Sequence, residues 1–235
     1  MRKLILLINT KRCGGLAFAL LSWLSVAGLG VVPGVAAIRE NEGRYQICLN
    51  MIDTSPEVAL KQAKTWYEGD GGVAALHCEA LALLGLGKNS QAAEKLESLA
   101  RDPGAGGITE RAAILDQAGN AWILAGRFDK ASASLSSAIA LDPVNKEYLI
   151  DRASAHHLSG DWSSALSDLT SAIELDSRDV EALILRAAAY REMGDLSHAK
   201  DDIARALVLE PDNATALREQ KFQRDQAAGR KINSD

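Results

Sequence analysis

Histidine and serine are the side chains of this sequence that could carry acid–base or nucleophilic chemistry. The histidines are His77, His156, His157 and His198. His156 and His157 are neighbours, and adjacent helix positions point about 100° apart, so their imidazoles do not converge on one metal ion as the spaced histidines of a zinc helix do. The serines between residues 132 and 137 lack the glycines of a nucleophile elbow and the order of a catalytic triad. We therefore predict no catalytic residues, no metal site and no cofactor.

Cysteine is the other candidate for covalent chemistry, and the sequence holds Cys13, Cys48 and Cys78. Cys48 and Cys78 fall in two predicted helices that would stack side by side. They could form a disulfide, which in the chain-entropy model would contribute about 3–4 kcal/mol. Alternatively, they could remain buried thiols that pack as small hydrophobic groups. The disulfide is favoured by the oxidising compartment that the N-terminal segment implies.

The first 37 residues differ in composition from the rest of the chain. Four basic residues and no acid occur among residues 1–12, an almost wholly apolar stretch spans 14–32, and Val35-Ala36-Ala37 offers small residues to a signal peptidase. This arrangement predicts an export signal cleaved between Ala37 and Ile38, and hence a periplasmic protein of a bacterium. The alternative is an uncleaved N-terminal membrane anchor, because a spanning helix becomes possible at about 18 apolar residues.

The net charge limits the class of partner. The formal net charge is −5, and without the four basic residues of the predicted signal it falls to −9. A chain with this charge repels nucleic acid and anionic membrane surfaces. We expect a protein or peptide partner, no nucleic acid, and membrane contact only through an uncleaved signal.

A 34-residue period organises the middle of the chain, where Gly126, Gly160 and Gly194 recur one period apart. Four further sets recur with the same spacing: Leu115, Leu149 and Leu183; Gly119, Ala153 and Ala187; Ala131, Ala165 and Ala199; Leu135, Leu169 and Ile203. Small residues beside large ones let two helices approach closely, and a glycine in the left-handed conformation can end the first helix. The period therefore predicts stacked pairs of antiparallel helices.

This pattern resembles the tetratricopeptide repeat (TPR) family, whose repeat places small, large and aromatic residues at these spacings and a proline at its end. The resemblance covers residues 112–213 as three full units. It implies an all-α, right-handed superhelical solenoid of antiparallel helix pairs with a C-terminal capping helix. Arg152 and Arg186 replace the leucine that is commoner in the family, and Ser177 replaces the proline. We expect these departures to alter local packing only.

Following the period through the chain gives the predicted domain organisation. After the signal at 1–37, a degenerate helix pair spans 38–72, and a divergent repeat with a long loop spans 73–111. Three repeats follow at 112–145, 146–179 and 180–213, then a capping helix at 214–228 and a flexible tail at 229–235. In the degenerate pair, Ser55 can cap the second helix and Pro56 can occupy its first turn. In the divergent repeat, Gly87 lies 39 residues before Gly126, which implies a five-residue insertion.

In this family the first helix of each pair lines a concave groove, so the resemblance implies which side chains contact a partner. The predicted groove residues are Asp116, Gln117, Asn120, Glu147, Asp151, Ser154 and Glu181. All four charged ones are acidic, so the expected ligand is a basic or polar segment. Members that hold the C-terminal carboxylate of a chaperone use lysine, arginine and asparagine on this face, and only Asn120 suits that role. We therefore expect no carboxylate clamp; the alternative to a binding site is an ordinary solvated helix face.

The expected function is a non-enzymatic scaffold or adaptor, exported to the cell envelope, that binds a partner segment in the groove. One alternative is a structural subunit of an envelope complex that uses another face. A second is an accessory subunit of an enzyme, or an enzyme itself, although the sequence offers no catalytic constellation for the latter.

Overall fold

The computed structural model describes the backbone of residues 33–228 and the side chains of residues 41–228. Within this range there are eleven α-helices, one short 3₁₀ turn at Pro103–Ala105, and no strand. The α-helices are α1 Pro33–Ile52, α2 Pro56–Gly69, α3 Gly72–Gly85, α4 Asn89–Ala100, α5 Ile108–Leu124, α6 Phe128–Leu141, α7 Lys146–Ser159, α8 Trp162–Leu175, α9 Val180–Glu192, α10 Leu196–Leu209 and α11 Ala214–Ala227. No helix in the described part of the chain is long and apolar enough to cross a bilayer. The described residues form two compact units, which divide between Glu110 and Arg111.

In the first unit, α1 packs against both α2 and α3, and α3 also packs against α4. The core shared by α1, α2 and α3 consists of Tyr45, Cys48, Ala63, Trp66, Ala75 and Cys78. Cys48 and Cys78 are joined by a disulfide whose Cα atoms lie 6.2 Å apart. The predicted disulfide is therefore confirmed, and the alternative of two buried thiols is not.

The start of α1 overlaps the predicted signal. α1 begins at Pro33, which has no N–H to donate and so fits the first turn, and the helix runs through the predicted cleavage bond between Ala37 and Ile38. Residues 1–32 of the predicted signal, with Cys13, and the predicted tail 229–235 lie outside the described residues. At the start of α2, Pro56 is the first helical residue as expected, but the Ser55 side chain makes no capping hydrogen bond.

In the second unit, each helix from α6 to α11 packs against the next, and α9 also contacts α7 and α11. The small residues of the 34-residue period are buried among the large ones, with Ala153, Ala165 and Ala187 beside Leu169 and Ile203. Gly119 of α5 lies so close to α6 that a Cβ there would be 2.9 Å from Cδ2 of Leu135. The alternation of small and large residues thus forms the core, as the period predicts.

The turn between the two helices of a pair is closed by a glycine with positive φ. Gly87, Gly126, Gly160 and Gly194 have φ values of 69°, 70°, 83° and 82°. The residue after each glycine donates its N–H to the carbonyl five residues earlier, as Arg127 does to Trp122. A Cβ is strained in this left-handed conformation, which explains why glycine recurs. The predicted left-handed turn is confirmed, and the divergent repeat shares it through Gly87.

Polar side chains begin the helices of the second unit. Asn145, Asp179 and Asn213 accept hydrogen bonds from backbone N–H groups in the first turns of α7, α9 and α11. Asp161 and Asp195 do the same for α8 and α10. These N-caps satisfy donors that have no partner within the helix itself. The sequence reasoning missed them, although the first three recur with the 34-residue spacing.

Arg152 connects three helices from two repeats. Its Nε and Nη2 on α7 donate to Asp168 of α8 at 2.8 and 2.7 Å, and its Nη1 donates to Ser136 of α6 at 3.0 Å. We call such a set of arginine, acid and hydroxyl an arginine bridge. A second arginine bridge lies one period later and consists of Arg186, Asp202 and Thr170. The expectation that Arg152 and Arg186 alter local packing only was therefore wrong, because each ties its own pair to the preceding one.

The divergent repeat has an ion pair at the equivalent positions with the charges exchanged. Glu79 of α3 and Lys95 of α4 lie 2.9 Å apart, from Oε2 to Nζ. With the 39-residue offset of Gly87 from Gly126, they correspond to Ala118 and Ser134 in the repeat at 112–145. The same place between the two helices of a pair is thus filled by opposite charges or by small residues.

Candidate functional site

The predicted groove residues lie on α5, α7 and α9, the first helices of the three repeats in the second unit. α5 carries Asp116, Gln117 and Asn120, α7 carries Glu147, Asp151 and Ser154, and α9 carries Glu181. Six of the seven side chains are half-buried, and Asp151 is only 3% exposed. The six half-buried side chains therefore reach the surface, whereas Asp151 does not.

Asn120 brings two of the predicted acids together across a repeat junction. Its Nδ2 donates to Oδ2 of Asp151 at 2.8 Å and lies 3.5 Å from Oδ2 of Asp116. Asp116 precedes Asn120 by one turn of α5, whereas Asp151 comes from α7. We call Asp116, Asn120 and Asp151 the acidic cluster. The amide dipole between the two carboxylates offsets part of their mutual repulsion.

Tyr148 on α7 reports the electrostatic environment of the acidic cluster. Its side chain is buried, and this burial, together with the negative charges of Asp116 and Asp142, raises the pKa of Tyr148 to about 12. The phenol therefore stays protonated and neutral at physiological pH. Sequence reasoning missed Tyr148; the available signal was its position three residues before Asp151, on the same helix face.

The other predicted groove residues are not part of this cluster. Ser154 donates its hydroxyl to the carbonyl of Ile150 at 3.0 Å, within its own helix. Glu147 lies in the first turn of α7, where its backbone N–H donates to the Asn145 cap at 3.1 Å. Glu181 occupies the corresponding first turn of α9. The structure thus brings together three of the seven predicted residues, Asp116, Asn120 and Asp151.

Ser132, His156 and Asp161 lie side by side, but the distances between them are long for a nucleophile, its base and the acid that orients the base. Oγ of Ser132 is 3.4 Å from Nε2 of His156, and Nδ1 of His156 is 3.7 Å from Oδ2 of Asp161. Both exceed the hydrogen-bond reach of about 2.6–3.2 Å between a nucleophile and its base. Asp161 also caps α8 by accepting from the N–H of Ser164 at 3.1 Å. We assign these residues no catalytic role.

Among the described residues, no three histidine, cysteine, aspartate or glutamate side chains are grouped so that they could hold a metal ion. The second unit instead carries the acidic cluster, in which Asp116 and Asn120 are half-buried and Asp151 is buried.

Comparison with known proteins shows similarity at the level of structure. No family model matches this chain, and no curated protein matches it. YrrB, described as a TPR protein with an unusual peptide-binding site, is 18% identical, with 82% of this chain and 100% of YrrB covered at a TM-score of 0.62. MamA from Desulfovibrio magneticus RS-1 is 17% identical, with 75% of this chain and 96% of MamA covered at a TM-score of 0.63. The Arabidopsis OM64 TPR domain is 31% identical, with 51% of this chain and 99% of the domain covered at a TM-score of 0.49.

The likeness to YrrB and MamA shows the fold. It is an all-α solenoid of stacked helix pairs, as the 34-residue period predicts. Function must be argued from the surface that this fold presents, because one fold supports many functions.

Proposed function

Because the chain belongs to the tetratricopeptide repeat family, we propose that it is a non-enzymatic scaffold or adaptor that binds a segment of another protein. The proposed binding surface is formed by α5, α7 and α9 of the second unit and includes the acidic cluster. We further propose that the protein acts in the cell envelope after export. YrrB, which has the same fold, is described as having a peptide-binding site, and this supports a peptide as the ligand.

The observation that carries the proposal is the acidic cluster. Asn120 directs its amide hydrogens toward Asp151 and Asp116, and the half-buried Asp116 and Asn120 are the members of the cluster that a ligand could reach. Carboxylate and amide oxygens accept hydrogen bonds, and carboxylates attract cations. A partner segment with lysine or arginine side chains therefore fits this surface, and the charge also speeds the encounter with such a segment.

The same contacts argue against a C-terminal carboxylate as the ligand. Among the predicted groove residues, Asn120 is the one that a carboxylate clamp could use, and its amide hydrogens are directed at Asp116 and Asp151. A ligand carboxylate would meet two like charges there, which disfavours binding.

Export is supported by two independent features. The N-terminal segment has the basic, apolar and small-residue regions of a signal peptide. Cys48 and Cys78 form a disulfide, a bond that persists in oxidising compartments and is rare in the cytosol. N-terminal sequencing of the protein from an envelope fraction tests this proposal: a start at Ile38 supports cleavage, and retention of Met1 supports the membrane anchor instead.

Groove binding is tested with a library of fluorescent peptides, comparing lysine- and arginine-containing members with acidic members of the same length. The affinity is measured for the wild type and for Asp116→Asn, which removes charge without enlarging a half-buried side chain. We expect basic peptides to bind, and Asp116→Asn to weaken the best of them about tenfold, which corresponds to about 1.4 kcal/mol. Charge reversal at the buried Asp151 is avoided because it would endanger the fold.

Asp201→Asn is the matched control, because Asp201 is exposed on α10, a second helix outside the proposed surface. It makes the same change in net charge and should leave the affinity within about twofold of the wild type. Equal weakening by the two variants would show that the net charge of the protein, and not the position of Asp116, determines the affinity. Preference for acidic peptides would refute the proposed ligand class.

An alternative role as a structural or accessory subunit has a specific observation in its favour. Apolar side chains are exposed near the repeat ends, with Val144 72% exposed and Leu141 and Leu175 also exposed, one period apart. Such residues could contact a partner through a face other than the groove. Val144→Asp would abolish partner binding in that case, while Asp116→Asn would leave it intact.

A further inference from the structure

The described side chains of α1, residues 41–52, make few apolar contacts with the first unit. Of its side chains from residue 41 to residue 52, only Tyr45 and Cys48 are buried. Leu49 and Ile52 are partly buried against the same core. By contrast, α3 buries eight residues. Burial of apolar area is the main force that holds a helix to its neighbours, and residues 41–52 of α1 have less of it than α3 has.

The other described contacts of α1 are a ring contact, with the centroids of Tyr45 and His77 5.8 Å apart, and several polar contacts. Asn41 accepts a hydrogen bond from Nε1 of Trp66 at 3.2 Å, and the hydroxyl of Tyr45 lies 2.5 Å from Nδ1 of His77. Arg44 lies 3.6 Å from Asp70 with both side chains largely exposed, so this ion pair adds little. When α1 docks, such hydrogen bonds replace hydrogen bonds to water, so their net contribution to docking is modest.

The sequence of α1 also weakens the helix itself. Gly43 lies in its interior, and a Cβ at that position would meet no atom within 4 Å. The glycine therefore lowers helix propensity without a packing reason. Helices in proteins owe most of their stability to packing against their neighbours, so α1 depends on its docking to remain helical.

The remaining connection is covalent. Cys48 of α1 and Cys78 of α3 are 3% and 0% exposed, and the disulfide between them lies within the core beside Tyr45 and Trp66. We propose that this disulfide, rather than apolar packing, holds α1 in place. The first unit is then completed only in an oxidising environment.

The chemistry is thiol–disulfide exchange with an external disulfide. The Cys48 thiolate attacks one sulfur of that disulfide and releases its other sulfur as a thiolate. The Cys78 thiolate then attacks the Cys48 sulfur of the mixed disulfide and displaces the rest of the donor. The two cysteines lose two electrons and two protons, and the donor is reduced to two thiols.

Before this step, the face of α2 and α3 that α1 covers is open. That face includes Ala63, Trp66 and Ala75, which are buried in the oxidised protein. The biological setting rests on the proposed export, since the bond would form after translocation. The experiment uses purified protein and therefore does not depend on localisation.

Hydrogen–deuterium exchange of the purified full chain tests the proposal. The oxidised protein is compared with the same protein after reduction by dithiothreitol, with alkylation of both Cys48 and Cys78 verifying the reduction. We expect amides of α1 to lose protection by about 100-fold or more, as a disulfide closing a loop of this size implies. Amides of α3, and of α9 in the second unit, should change far less.

Two outcomes would overturn the proposal. Retained protection of α1 in the reduced protein would show that packing suffices. Equal loss of protection across α1, α2 and α3 would show that the bond stabilises the whole unit rather than the docking of one helix.

Two variants separate the bond from the polar contacts. Cys48→Ala/Cys78→Ala keeps small side chains in the core and should show the fast exchange of α1 without any reductant. Tyr45→Phe removes the hydroxyl that contacts His77 and keeps the disulfide, so α1 should stay protected in the oxidised protein. If Tyr45→Phe released α1 as fully as reduction does, the hydrogen bond and not the disulfide would be the anchor.

Discussion

Arg186 forms two hydrogen bonds with Asp202, from Nε to Oδ2 at 2.7 Å and from Nη2 to Oδ1 at 2.9 Å. The side chains are 13% and 5% exposed, so both charged groups have lost most of their hydration. The hydrogen bonds to Asp202 raise the pKa of Arg186 further above its ordinary value. Each charge therefore depends on the other, because removal of one leaves the other buried and uncompensated.

Asp202→Ala should lower the free energy of unfolding by about 3 kcal/mol, because Arg186 then lacks its buried counter-charge. Urea denaturation followed by circular dichroism measures the change. The double variant Arg186→Leu/Asp202→Leu should recover most of the loss, since leucine is commoner in the family at the position of Arg186. Lys200→Ala, at an exposed site of α10, is the control and should cost less than about 0.5 kcal/mol. Equal losses in the single and double variants would contradict the argument.

Gly119→Ala should destabilise the second unit by overpacking. A Cβ at residue 119 would lie within 3.0 Å of Cδ1 and Cδ2 of Leu135, closer than van der Waals contact. We expect a loss of about 1–3 kcal/mol in the free energy of unfolding. Leu135→Val in the same chain should relieve part of it, so the double variant should be more stable than additivity predicts. Additive losses would indicate that the cost comes from elsewhere.

His157 should make the fold sensitive to acid. Burial of the imidazole, with Arg191 contributing in the same direction, lowers the pKa of His157 below its ordinary value despite the opposing charges of Glu192 and Glu219. Below about pH 6.5 the unfolded chain binds a proton at His157 more readily than the folded chain does. The stability that neutral His157 allows is therefore fully present above that pH. It is lost as the pH falls through the folded pKa.

The measurement is the melting temperature at about pH 8 and about pH 5, in wild type and His157→Gln. The variant should lose less stability on acidification than the wild type does. His198→Gln is the control, because His198 is exposed on α10. An unchanged pH dependence in His157→Gln would assign the acid sensitivity to other groups.

Asn213 should stabilise the capping helix α11. Its Oδ1 accepts from the N–H groups of Thr215 and Ala216 at 3.1 and 3.0 Å. Asn213→Ala removes this N-cap and should cost about 1 kcal/mol, whereas Asn213→Asp keeps an acceptor and should cost less. Urea denaturation gives the cost, and hydrogen exchange in the first turn of α11 locates it. If both variants cost the same, the loss comes from the hydrogen bond that Asn213 Nδ2 donates to Glu210 at 2.7 Å and not from the acceptor of the cap.

The packing of the repeats was predictable because it recurs at each period. Ala153 and Ala187 are small where a neighbouring helix approaches, and Leu169 and Ile203 are large where the space must be filled. Gly126 recurs for a different reason. Its φ is positive, and a Cβ there would meet no atom within 4 Å, so the backbone conformation and not packing requires glycine. The disulfide followed because Cys48 and Cys78 lie on helices of adjacent pairs.

The contacts between polar side chains were not predictable in the same way. Arg152 and Asp168 are 16 residues apart, so nothing in the pattern of a single helix pairs them. Ser136 lies in the preceding repeat, where it is one of four serines between residues 132 and 137, and its residue type does not distinguish it from the others. In the groove, acidic character was predicted from residue types, but the position of Asn120 between Asp116 and Asp151 depends on how two repeats stack. The predicted domain boundaries stay predictions.

The arginine bridge bears on how a chain of this kind can lengthen. The repeat at 146–179 contains Arg152 and Asp168, which pair with each other, and also Thr170, which accepts from Arg186 of the next repeat. If those residues were copied in tandem, the new arginine would donate to the original Thr170, and Arg186 would donate to the copied threonine. Both new junctions would be complete without a compensating change elsewhere. Duplication of one segment of coding sequence could therefore extend the molecule in a single evolutionary step.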